Sequence, residues 1–276
     1  MTSLKYGPAW LFCPADRPER FAKAAKAADI VILDLEDGVA PADKPAAREA
    51  LIDTQLDPER TVVRINPHDT EDHALDCETL AKTGYHAIML AKCEAPAQLR
   101  DLFDYEVFGL IETPLGAVRV ADIAQTPNLR GLMWGAEDLI AGMGGQSSRR
   151  RDGTYRDVAR HVRSSVLLAA TAFDRLALDA VYIDIRDIDG LRDEAIDAAA
   201  TGFDAKVAIH PSQVAVVREA FAPAPEEVGW ARRVLTQADG ERGVFAFEGR
   251  MVDAPVLRHA EAVVARAEAA RQEGPK

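Results

Sequence analysis

The sequence predicts an α/β fold, a (β/α)8 barrel of the TIM type with a C-terminal helical extension and arm, and three observations carry that prediction. Eight short apolar segments alternate with helical stretches, the pattern of repeated βα units around a parallel sheet. Runs such as Ile30-Val31-Ile32-Leu33 are apolar on both faces, as a strand packed inside against side chains and outside against helices must be. The chain has 276 residues, enough for one barrel of roughly 250 residues and a tail.

The expected strands are AWLFCPA (9–15), DIVILDLED (29–37), TVVRIN (61–66), AIMLAK (87–92), VFGLIET (107–113), LRGLMWGAED (129–138), DAVYIDI (179–185) and KVAIHP (206–211). In the first helix, Asp16 and Glu19 have capping-box spacing, Pro18 stands in the first turn, and Phe21, Ala24, Ala25 and Ala28 form an apolar face. Beyond the eighth strand come a helix near 212–221, the turn-rich APAPEE, a helix to about 238, and a last helix after Pro255. The segment from Gly243 to Asp253 has no barrel role, so it reads as a packed tail or an arm reaching another subunit. The expected division is a barrel over 1–222 and an extension over 223–276 that contributes to a neighbouring subunit's site.

Lys and Arg number 33 against 45 Asp and Glu, a net charge of −12 that disfavours nucleic acid and anionic lipid as partners. MTSLKYGPAWLF lacks the apolar core of a signal peptide, and no stretch reaches the roughly 18 apolar residues of a membrane span, so a cytoplasmic protein is expected. Cys13, Cys77 and Cys93 are an odd set without CxxC spacing, which reads as reduced structural thiols.

Catalytic groups of such barrels sit at the carboxyl ends of the strands. Taken in order, those ends carry Arg17, Glu36 with Asp37, Arg64, Lys92, Glu112, Asp138, Asp184 and His210. Acids and cations on one rim are costly to bury unless a metal and a charged ligand complete the set. Carboxylates without a His or Cys cluster suit a hard cation, and Glu112 and Asp138 are the candidate Mg²⁺ ligands. Two plainer readings stand beside this: Asp138 as a helix N-cap and Glu112 as an ion-pair partner of an arginine.

The motifs LFCPADRPERFAKAAK, VILDLEDGVAPADKPAAR, VVRIN, GLIET, WGAEDL, AIHPSQV and FEGRMVDAP together resemble the citrate lyase β-subunit-like family, from about Leu11 to Val264. Malyl-CoA and citramalyl-CoA lyases are its relatives. The resemblance implies a homo-oligomeric barrel, a trimer or hexamer, with Mg²⁺ and a CoA thioester in the site. It implies Glu112 and Asp138 as metal ligands, and Glu36 and Asp37 as acids holding metal-bound waters. Arg64 matches the arginine that grips the 2-oxo acid, with a rim salt bridge to Glu36 as its plainer reading. Phe12, Arg17, Lys23, Ile209 and His210 match contacts to the CoA substrate, and Glu137 joins the substrate-binding set.

Asp253 matches an acid or base supplied by a neighbouring subunit, although an Asp shortly before Pro255 is also a natural cap for the last helix. Gly142, Gly144 and Gly145, followed by Ser147, Ser148 and Arg149 to Arg151, make a basic loop without nucleotide-site spacing, either a mobile CoA-side loop or a plain solvated one. The implied activity is reversible Claisen cleavage of citramalyl-, malyl- or 3-hydroxy-3-methylglutaryl-CoA to acetyl-CoA and a keto acid. The alternatives are a metal-dependent aldolase on free hydroxy acids, a thioesterase or malate synthase-type activity, and a subunit of a citrate lyase complex.

Overall fold

The computed structural model describes residues 7–240 and 243–272. Eight parallel strands close into a barrel in sequence order, the eighth pairing with the first. The first half runs β1 (Ala9–Pro14), α1 (Phe21–Ala27), β2 (Ile30–Asp34), α2 (Lys44–Asp53), β3 (Thr61–Ile65), α3 (Glu71–Leu80), β4 (Ala87–Leu90) and α4 (Pro96–Arg100). The second half runs β5 (Glu106–Ile111), α5 (Pro114–Ala124), β6 (Leu129–Trp134), α6 (Ala136–Gly142), α7 (Asp157–Ala172), β7 (Leu176–Asp179), α8 (Ile188–Thr201) and β8 (Ala205–Ala208). The chain continues through α9 (Pro211–Phe221), α10 (Pro225–Ala238), β9 (Phe245–Phe247), β10 (Arg250–Val252) and α11 (Ala254–Gln272).

Alternation along each strand sorts the side chains. Trp10, Ile32, Val62, Met89, Phe108, Leu110, Met133, Leu178 and Val207 point inward and fill the barrel axis as one apolar plug. The intervening residues face the helices, and there the wall holds a buried charge network. Lys206 and Asp179, both fully buried, pair at 3.0 Å; Arg163 of α7 joins Asp179 at 2.9 Å and Glu194 of α8 joins Lys206 at 2.8 Å. Removing one partner of such a network strands the other without solvent, so each member depends on the rest.

The chain divides into two compact units, Met1–Val217 and Arg218–Lys276, with the boundary inside α9. The second unit has its own small core: Val228, Ala231 and Val234 of α10 pack with Phe245 and Val252 of the β9–β10 hairpin and with Ala260 and Val263 of α11. The segment expected as a tail or arm is therefore a hairpin, turned at Glu248 and Gly249, both at positive φ.

Two local expectations are corrected. The seventh strand is Leu176–Asp179, not 179–185: Ile183, Asp184 and Ile185 are exposed, and the β-branched alternation that suggested a strand belongs to a loop. The Asp16–Glu19 capping box does not form, because Pro18–Arg20 makes a 3-10 turn and the α-helix begins only at Phe21, with no side-chain cap.

Candidate active site

The rim is built first by strand register. Asp34 ends β2 and lies beside Arg64 of β3, which donates to both its carboxylate oxygens, Nε at 2.7 Å and Nη2 at 2.6 Å. The turn after β2 folds back over this pair: the backbone N–H groups of Glu36 and Gly38 donate to Asp34 at 2.9 and 2.8 Å. A Cβ at Gly38 would overlap the Asp34 carboxylate, so the turn requires glycine. Arg64 Nη1 lies 3.1 Å from Glu36, and its guanidinium sits 4.6 Å above the Phe12 ring. Asp34 was not singled out from the sequence, although the spacing Asp34-x-Glu36 puts both acids on one side of an extended segment.

Lys92 closes the other side. It follows β4 in the left-handed region (φ 50°), which few residues other than glycine adopt, and from there its backbone N–H donates to Glu112 at 3.0 Å. Its ammonium bonds to Glu36 and lies 3.4 Å from Asp37, 3.7 Å from Asp138 and 4.0 Å from Glu112. From sequence alone Lys92 is a rim residue without a task. Gly135, which precedes α6, admits Glu112 closely: a Cβ there would stand 2.8 Å from Glu112 Cβ and Oε2. Asp138 lies inside the first turn of α6, whose N-cap is Gly135, so the N-cap reading of Asp138 is corrected; Glu112 does face an ammonium.

The electrostatics are unbalanced. Among the described residues, Asp34, Glu36, Asp37, Glu112 and Asp138 surround two cations, Arg64 and Lys92. Burial pushes the Glu112 carboxyl up to about 8, against the opposing charges of Arg64 and Lys92. Burial likewise raises the Glu36 carboxyl, opposed by Arg64 and Lys92. Burial lowers the Lys92 ammonium, but the hydrogen bond to Glu36 and the charges of Glu112, Glu36 and Asp138 outweigh it and raise the group. A hard dication would supply the charge this cluster lacks. Among the described residues no three His, Cys, Asp or Glu side chains are already gathered as ligands. Two carboxylates still fit Mg²⁺, which typically keeps water or substrate oxygens in the rest of its shell.

The remaining predicted residues lie in different surroundings. Arg17 is half exposed and 3.7 Å from Asp16, and Lys23 is exposed on α1. Ile209 and His210 follow β8, their backbone N–H groups held by Gln213 at 2.9 and 3.2 Å, while the His210 ring meets Ser212 at 2.8 Å. Glu137 accepts a hydrogen bond from Ser148 at 2.6 Å. Asp253 belongs to the second unit, where it accepts from the Val256 N–H at 3.3 Å and so caps α11. No helix among the described residues is long and apolar enough to cross a membrane, and the three cysteines are free thiols.

A closed eight-stranded barrel whose strand ends gather buried acids around two cations has the build of a TIM-barrel enzyme. Residues 9–211 match the HpcH/HpaI aldolase/citrate lyase family, and the chain belongs to it. Residues 153–270 match a second description, C-C bond lyase of the TIM-barrel fold. The chain is 64% identical over 267 residues to a citrate lyase subunit beta-like protein of Mycobacterium tuberculosis, covering 97% of this chain and 98% of that one. It is 32% identical over 300 residues to the mitochondrial citramalyl-CoA lyase of Mus musculus, covering 96% and 87%. Its fold superposes with a TM-score of 0.93 on the crystal structure of CitE from Mycobacterium tuberculosis in complex with magnesium, acetoacetate and coenzyme A, at 64% identity over 96% of this chain and 99% of that one.

Proposed function

We propose that the chain is a Mg²⁺-dependent carbon–carbon lyase that cleaves a 3-hydroxyacyl-CoA to acetyl-CoA and a keto acid by reversible Claisen chemistry. The observation that carries this reading is the buried Glu112, facing Asp138 and Lys92 on a rim where acids outnumber cations. Glu112 and Asp138 would hold the metal, with Glu36 and Asp37 holding its waters. When bound, Mg²⁺ supplies Lewis-acid polarisation of the keto-acid oxygens.

The chain's own groups complete the chemistry. Arg64 is fixed through Nε and Nη2 by Asp34, which leaves its Nη1 edge, beside Glu36, to orient a substrate carboxylate. Phe12 carries that guanidinium on its ring. In the cleavage direction the 3-hydroxyl would give its proton to a carboxylate of the rim, Glu36 or Asp37, as the carbon–carbon bond breaks, and the bonding pair passes to the acetyl-CoA enolate. Asp253, contributed by a neighbouring copy in a trimer or hexamer, returns a proton to that carbon. Arg17, Lys23, Ile209 and His210 are the proposed CoA-side contacts. The kinship with the citramalyl-CoA lyase of Mus musculus and the magnesium, acetoacetate and coenzyme A bound to CitE support this reading.

The test is Mg²⁺-dependent release of acetyl-CoA from citramalyl-, malyl- and 3-hydroxy-3-methylglutaryl-CoA, comparing wild type with Glu112→Ala and Asp253→Ala. Release from one thioester, lost in both variants at unchanged fold, is expected. No release from any of them by a folded, Mg²⁺-binding protein would overturn the reading in favour of an aldolase on free acids or a complex subunit.

A further inference from the structure

The loop between α6 and α7 is exposed over most of its length, yet three of its residues turn inward. Ser148 is 2% exposed and donates to Glu137 Oε1 at 2.6 Å. Arg149 pairs with Glu194 at 2.8 Å, with its guanidinium 3.8 Å from the Tyr155 ring centroid and 4.9 Å from that of Tyr182. Tyr155 packs edge-on against Trp134, whose indole N–H donates to Asp179 at 2.8 Å. Backbone bonds from Arg156 N to Ser148 O and from Arg150 N to Thr154 O, both 2.8 Å, fold the loop into a small ribbon. The loop is thus fastened at one end to the buried network of the barrel wall, through Glu194, Lys206 and Asp179. At the other end it holds Glu137, the residue next to Asp138 in the first turn of α6.

We propose that Ser148 and Arg149 form a latch that fixes the first turn of α6, so that Asp138 faces the acid cluster and the site's affinity for its dication is set from this loop. The inference rests on the reading of Asp138 as a metal ligand. Ser148 acts through Glu137 and Arg149 acts through the ribbon, so both are positioning residues. An oriented ligand needs less reorganisation on binding, and loss of such support costs metal affinity about 10- to 100-fold.

The experiment is Mn²⁺ titration by water-proton relaxation, without substrate, on the full chain. Ser148→Ala and Arg149→Met are expected to bind Mn²⁺ about tenfold more weakly than wild type, with unchanged circular dichroism. Arg149→Lys, which keeps a cation for Glu194, should recover most of the loss. In Arg149→Met, trypsin should cut faster after the exposed Arg150 and Arg151. Arg175→Met is the control, because it removes interior hydrogen bonds to Ala124 O and Thr126 O that belong neither to the loop nor to the network anchoring it and should leave Mn²⁺ affinity unchanged. Wild-type affinity in Ser148→Ala, or an equal loss in Arg175→Met, would overturn the latch alone. A wild type that binds no Mn²⁺ would overturn the metal reading and the latch with it.

Discussion

At the scale of single residues, Glu112 is the group on which the site turns. Burial pushes its carboxyl up to about 8, outweighing the attraction of Arg64 and Lys92. A folded value above the unfolded one means that the metal-free native state holds its proton more tightly, so this group's contribution to stability falls as pH rises from the ordinary carboxylate range towards 8. A dication needs the carboxylate, so its affinity should run the other way. Mn²⁺ binding should strengthen with pH up to about 8 and then level off, and titrations across that range would show it. A flat profile would mean that Glu112 is not a ligand. Asp34 and Arg64 illustrate what a sequence conceals at this scale: the pair is separated by 30 positions and exists only through the register of β2 on β3.

At the scale of elements, the strands were legible wherever double burial left an unbroken apolar run, as in Ile30–Leu33 or Val107–Ile111. β7 is harder to place because its four residues are a weaker signal than the Val181–Ile185 alternation that follows, which runs from a half-buried Val181 into an exposed loop. Rim residues were legible as strand ends, since a barrel makes position on a strand equivalent to position in the site. The support beneath them was not, because Ser148, Arg149 and Lys206 meet their partners only after the helices have packed. Gly135 makes the coupling testable. Its φ of −124° suits any residue, so Gly135→Ala should act only by crowding Glu112. We expect a loss of about 1–3 kcal/mol in chemical unfolding, together with weaker Mn²⁺ binding. In the wall, Lys206→Met should destabilise by about 3 kcal/mol, the low end for a broken buried pair, because Arg163 still faces Asp179. A urea melt that matched wild type would show the network to be replaceable.

At the scale of the whole molecule, a ligand that binds only the folded chain stabilises it by mass action. Saturating Mg²⁺ at about 100 times its dissociation constant should add about 2.7 kcal/mol. For a chain of this size that is a rise in Tm of roughly 5 °C, reversed by EDTA and absent in Glu112→Ala. A thermal shift shared equally by that variant would place the ion elsewhere on the acidic surface.

The plug of Trp10, Met89, Phe108, Met133 and Leu178 along the axis has one more effect. It fills the barrel axis, so nothing passes through the middle of the molecule and a ligand at the rim would leave by the side it entered. On the proposed cleavage, the two fragments of one substrate would share that way out, and the piece seated deeper would leave second. An ordered pattern of product inhibition is then the expected sign of a closed floor rather than of the affinity of either guest.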